Sequence, residues 1–168
     1  DFFATYYVPN NASLVVAGDF DSAAIKPLIA QLFGSLPRGG EVANRTVEPA
    51  RIDRVIRTTM IDKVQLPMVK MVWHSPANFA DGDAECELIA ALLSRGKNSR
   101  LYKRLVFDDK TAVDVSARQE GAGLGSLFVV EVEAKPDADL DKIEKAVDEE
   151  MARLAALGVE TGELEERK

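Results

Sequence analysis

Few residues in this chain have side chains that do chemistry. His74 is the only histidine and Cys86 the only cysteine among 168 residues. A zinc site needs three or four protein ligands in a tetrahedral array, so one His and one Cys leave the remainder to carboxylates. No His-x-x-Glu-His sequence or its reverse is present, and His74, in Val72-Trp73-His74-Ser75-Pro76, reads as a structural or surface histidine. It could act as base for only one serine, and there is no Gly-x-Ser-x-Gly elbow. Carboxylates are plentiful, but Asp81, Asp83 and Glu85, and again Asp137, Asp139 and Asp141, fall where helix N-termini favour negative charge. Gly121-Ala122-Gly123-Leu124-Gly125 lacks the Lys-Ser/Thr tail of a phosphate loop and precedes a strand pattern, so it reads as a hairpin loop. The basic cluster Arg95-Gly96-Lys97-Asn98-Ser99-Arg100 reads as a polar turn between helices. The residues themselves therefore predict no catalytic centre and no metal or cofactor site.

The elements that would position any site are readable from periodicity. Residues 13–20 form an apolar, partly β-branched run, expected to be a strand buried on both faces. Residues 22–33 follow as a helix with Asp21 as N-cap, Gly34 as stop and Pro27 as an interior difficulty. After a loop at 37–50, residues 52–61 and 68–73 are expected strands. Residues 81–93 form a helix capped by Asp81, with Leu88, Ile89, Leu92 and Leu93 on one stripe. Asn98 caps a helix over 99–107. Residues 113–119 and 127–134 alternate as a hairpin. Residues 139–157 are the clearest helix, with Leu140, Ile143, Val147, Met151 and Leu154 in register and Gly158 as stop. An i,i+4 pair is expected between Glu149 and Arg153. This order predicts an α+β two-layer sandwich: an antiparallel or mixed sheet with helices on one face.

Bulk properties narrow the function classes. A net charge of −7 argues against nucleic-acid or anionic-membrane partners, which need clustered Lys and Arg. No apolar run approaches the roughly 18 residues of a membrane span. One cysteine excludes an intrachain disulfide. The opening Asp1-Phe2-Phe3-Ala4-Thr5-Tyr6-Tyr7 reads as the interior of a longer chain and the last residues as a helix stopped mid-course. The expectation is a single domain over 1–168, cut from a larger multi-domain chain.

Four stretches, in order along the chain, resemble the pitrilysin/insulinase-like zinc metallopeptidases. Tyr7-Val8-Pro9-Asn10-Asn11 leading into Gly18-Asp19-Phe20 resembles the opening of the second domain of a family half. Phe33-Gly34-Ser35-Leu36-Pro37 resembles its helix exit, Asn98-Ser99-Arg100-Leu101-Tyr102-Lys103-Arg104-Leu105 its Ser-Arg-Leu helix, and Gly158-Val159-Glu160-Thr161-Gly162-Glu163-Leu164 its ending. The resemblance implies a metallopeptidase-half-like fold, with zinc held not here but in a domain upstream. The complementary half of such enzymes carries an Arg/Tyr pair after the Ser-Arg-Leu helix. The matching positions here are Val106 and Val113, which carry no side-chain donor. The resemblance therefore implies the non-catalytic companion of a zinc domain, a chamber and substrate-binding domain of a peptide-degrading zinc metalloendopeptidase. The alternative is a domain of an inactive family member that serves as an assembly subunit. Implied partners are peptide substrates and other domains of the same chain or a paired subunit. Bacterial relatives lean the expected location toward the periplasm. Family members also bind a substrate end as an added strand, and the matching residues are Val115, Ser116, Ala117, Arg118 and Gln119. Strand addition uses main-chain groups and asks for no particular side chain.

Overall fold

The computed structural model describes residues 2–43, 48, 52–159 and 163. It divides into two compact units, Asp1–Thr46 and Val47–Lys168.

In the first unit, α1 (Phe2–Tyr6) leads through a 3-10 turn (Pro9–Asn11) and an extended segment to α2 (Ser22–Phe33). Asp21 caps α2 as expected, accepting the Ala23 N–H at 2.8 Å. Pro27 lies inside the helix without ending it. Asn10 ties the unit together: its amide donates to the Gly40 carbonyl at 2.9 Å, and its side-chain oxygen accepts the Gly39 N–H at 2.8 Å. A Cβ on Gly39 would come within 2.3 Å of the Val8 side chain, so only glycine fits there. The strand expected over 13–20 does not form. A strand needs a neighbouring strand to take its main-chain bonds. The regular elements of this unit are helices, and Leu14, Val15 and Val16 are exposed.

The second unit is an α+β layer pair. Three antiparallel strands, β1 (Met68–Ser75), β2 (Ala112–Glu120) and β3 (Ser126–Ala134), are ordered β1-β3-β2. On one face of β3, Phe128, Val130, Val132 and Ala134 are buried. Across the strands they meet Trp73, Met71 and Val69 of β1 and Val115 and Ala117 of β2. Trp73 and Phe128 stack with ring centroids 6.2 Å apart. Ala90 and Leu93 of α3 (Asp83–Ser94), Leu101, Leu105, and Ile143, Ala146, Val147 and Leu154 of α4 (Leu140–Leu157) complete this core. The helices thus cover one face, as the alternation predicts. The opposite face carries Lys70, Arg118, Glu131 and Glu133, with Val129 buried between Val72 and Arg118.

Several local expectations change. The segment 52–61 is not a strand: Arg57 is ion-paired with Glu144 of α4, which holds it beside a helix, where no strand edge is offered. Gly82, at φ +95°, rather than Asp81 precedes α3. Between α3 and β2 the helix widens into a π-helix, Tyr102–Asp108, with the Asp109 N–H donating to the Arg104 carbonyl at 2.8 Å. Arg104 on this turn reaches α4, donating to Glu150 at 3.1 Å and to Glu149. Glu149 therefore serves Arg104 and Lys145, not the expected Arg153.

Two of the family-resembling stretches meet in space. Arg100, of the Ser-Arg-Leu helix, donates from Nε to Glu163 at 2.8 Å and from a terminal nitrogen at 2.6 Å, and reaches the Gly158 carbonyl at 3.0 Å. The Arg100 side chain is 12% exposed, so the bidentate pair is largely shielded from water. The rest of the expected closing motif, residues 160–162 and 164, lies outside the described residues. Arg100→Ala is expected to lower the unfolding free energy by about 2 kcal/mol in urea titrations, with Arg100→Lys recovering only part because a point charge cannot make the two-pronged contact.

Candidate functional site

The five residues Val115, Ser116, Ala117, Arg118 and Gln119 lie consecutively in β2, which pairs with β3 on one side and, among the described residues, with no strand on the other. Their side chains divide by alternation. Val115 is buried in the core and Ala117 packs against it. Gln119 turns toward α3, donating to Asp83 at 3.0 Å and to the Pro76 carbonyl at 3.2 Å. Ser116 and Arg118 face the open side of the sheet, opposite Glu131 and Val129. Arg118 is fully engaged there: it donates to Glu131 at 2.6 and 3.0 Å and to Glu120 at 2.8 Å. Val115, Ala117 and Arg118 are committed to the core or to carboxylates, and along its outer edge β2 also offers its main chain.

A polar element that sequence reading missed stands on that edge. Ser94, the last residue of α3, places its hydroxyl 2.7 Å from the Ala117 nitrogen, 3.3 Å from the Ala117 carbonyl and 3.2 Å from the Ala90 carbonyl. Its only signal in the sequence is a serine at a helix end, a common and unspecific pattern. Asp83 lies in the first turn of α3, as its position predicts, and is also buried, organising the loop before the helix. Besides the Gln119 amide it accepts the Phe79 N–H at 2.9 Å. Asn78 donates its N–H to the Ala122 carbonyl at 3.0 Å, tying this loop to the β2–β3 hairpin. Phe79 is held at φ +62°, in the left-handed region, and is 95% exposed.

The donor set does not fit zinc. His74 sits on the open sheet face across from Leu127. Burial, then the Asp83 and Glu85 carboxylates, push the Cys86 thiol up, away from the thiolate a metal needs. Among the described residues no three His, Cys, Asp or Glu side chains gather closely enough to hold an ion. Val106 packs against the core and Val113 sits at the bulge of β2. No helix among the described residues is long and apolar enough to cross a membrane.

Electrostatics of the open face centre on Glu131, which Arg118 and Lys70 flank; the Lys70 ammonium is 2.8 Å away. Hydrogen bonds from Arg118, then Lys70, hold the Glu131 carboxyl well below its ordinary 4.5, at about 2. A carboxyl depressed in this way stabilises the fold fully above its unfolded value, and that contribution is lost as pH falls from about 4.5 through about 2. Because Arg118 is more than a third exposed, water screens part of the effect. Glu131→Gln is therefore expected to flatten the fall in stability between pH 4.5 and 2, measured by denaturant titration at each pH. At Phe79 the strained backbone supports no buried packing, so Phe79→Asn is expected to raise stability by about 0.5–1 kcal/mol in the same assay at neutral pH.

The model of the Peptidase M16 inactive domain matches residues 1–168. The zinc protease PqqE of Helicobacter pylori is 25% identical over 170 residues, covering 99% of this chain and 38% of that protein. The crystal structure of a protease from Helicobacter pylori superposes with a TM-score of 0.77 at 23% identity, over 98% of this chain and 41% of the other. A peptidase M16 inactive domain from Pseudomonas fluorescens superposes with a TM-score of 0.60 at 14% identity, over 89% of this chain and 36% of that one. These two structures are alike in fold, and the chain spans about two fifths of the length of the relatives it matches. With the family model covering all 168 residues, this chain belongs to the M16 peptidase family as its inactive, non-catalytic domain.

Proposed function

We propose that this domain forms part of the wall of a peptide-degrading zinc metalloendopeptidase and binds substrate there, while zinc is held by a domain outside these residues. The observation that carries the reading is the match to the inactive-domain model over residues 1–168, together with a relative that is called a zinc protease and extends well beyond the matched segment. Exposed apolar side chains at Val55, Ile56, Met60 and Ile61 support a domain made to be covered by further protein. The domain's own part is binding. An extended substrate segment adds to the outer edge of β2 at Val115, Ser116, Ala117, Arg118 and Gln119, held by main-chain hydrogen bonds. Such binding is tolerant of sequence, which suits an enzyme that takes many peptides. It also holds a substrate at a distance from the chemistry and thereby raises the local concentration of its remainder.

Zinc content by mass spectrometry and cleavage of a fluorogenic peptide, measured for the full-length parent and for this 168-residue chain, test the reading. The expected result is one zinc and cleavage for the parent and neither for the chain. A parent without zinc or activity would overturn it in favour of an assembly subunit, and zinc bound tightly by the chain alone would overturn the division of labour.

A further inference from the structure

The outer edge of β2 is already occupied at one point. In an antiparallel ladder, alternate residues direct both main-chain groups at one neighbour, and the residues between them direct theirs away. Ala117 directs its N–H and its carbonyl away from β3, and the Ser94 hydroxyl meets both, at 2.7 and 3.3 Å. By the same alternation the main-chain groups of Val115 and Gln119 point off the same edge. Ser94 thus stands at the centre of the five-residue edge, where the main chain of an added strand would run.

We propose that Ser94 is a displaceable cap that sets the cost and the register of strand addition to β2; this rests on the strand-binding reading above. A hydroxyl has one proton, and here it has two carbonyls to serve, Ala117 at 3.3 Å and Ala90 at 3.2 Å. It satisfies the Ala117 N–H well and the Ala117 carbonyl only in competition with Ala90. An incoming strand supplies a carbonyl for that N–H and a full N–H for that carbonyl. Ser94 then falls back on Ala90, four residues earlier in its own helix, which is an ordinary bond for a helical serine. The exchange leaves no buried polar group without a partner. A ladder neighbour runs about 4.8 Å from β2, so the Ser94 end of α3 draws back from the edge as the strand enters. It also fixes register, because the incoming residue opposite Ala117 must present both its main-chain groups to the edge. The occupant is an extended peptide segment rather than a second copy of this chain. Since Ser94 ends α3 at this edge, pairing β2 with β2 of another copy would bring two helix ends to the same place, whereas an isolated strand meets one. With the cap in place the edge is also a poor template for uncontrolled strand pairing.

The test compares the 168-residue chain with Ser94→Ala and Ser94→Thr. The probe is a fluorescein-labelled ten-residue peptide of Thr and Val with terminal lysines, followed by anisotropy, beside the same peptide N-methylated at alternate residues. Ser94→Ala is expected to bind the unmodified peptide about 3- to 10-fold more tightly, the worth of one exchanged hydrogen bond. Ser94→Thr is expected to match the parent sequence, and N-methylation to weaken binding to all three. Hydrogen exchange at the Ala117 amide, faster in Ser94→Ala without peptide, shows that the cap was removed from a folded domain. Equal affinity of all three for the unmodified peptide, with N-methylation still inhibitory, would overturn the cap while strand addition stands. No binding by any of them would overturn both. Self-association of Ser94→Ala in sedimentation velocity without peptide binding would show an edge guarded against second copies and would overturn the proposal.

Discussion

Strand β3 is the constraint on which the second unit depends. It alone among the three strands has a neighbour on each side, and its alternation decides which face of the sheet is dry. Phe128, Val130, Val132 and Ala134 are 5% exposed or less. Each apolar side chain of this size contributes about 1.5–3 kcal/mol when fully buried, alanine less. Residues of α3, the 101–105 turn and α4 pack on that stripe. Once they are in place, the fates of the outer strands follow. β1 and β2 each keep one edge without a strand partner among the described residues, and the second face must carry charge that is internally neutralised. Glu131, the central carboxylate, is set between Lys70 and Arg118 on the two flanking strands.

How much of this was legible depends on the range over which each feature is decided. The hairpin of 112–134 and the helix Leu140–Leu157 were readable because their signals are local: alternation, a glycine-rich turn, an Asp139 cap, a Gly158 stop. The stripe predicted for α4 matches except at Leu140, which is exposed. Residues 13–20 and 52–61 have strand-like patterns but no strand pairing. Local pattern reports a side chain's preference for burial, while a strand also needs a partner edge, and nothing within the segment encodes that partner. Arg57 shows the point, since its ion pair with Glu144 spans 87 positions.

The family-resembling short motifs gain a physical meaning from the fold. Asn10 holds the glycine pair after α2, and Arg100 grips Glu163 near the far end of the chain. These are fastenings between segments far apart in sequence. Such residues are recognisable as a pattern long before their role is visible, because a sequence shows that Arg100 and Glu163 are present but not that they touch. The candidate site was legible in the opposite way. The strand was readable from its alternation and its proposed role only from the resemblance, while the Ser94 hydroxyl on the Ala117 main chain involves a serine with no distinguishing context.

A domain without catalytic groups can still shape what an enzyme does if it controls main-chain hydrogen bonding. Side-chain recognition would restrict the substrate range, and Val115, Ala117 and Arg118 of β2 are already committed to the core or to Glu131 and Glu120. Backbone recognition carries no such restriction, but a bare edge is indiscriminate toward aggregation as well as toward substrate. As proposed above, a single hydroxyl that satisfies the edge when it is empty, and has a second acceptor in its own helix, would resolve that conflict. On that proposal the edge is satisfied when alone and open to a strand that supplies both hydrogen bonds at once.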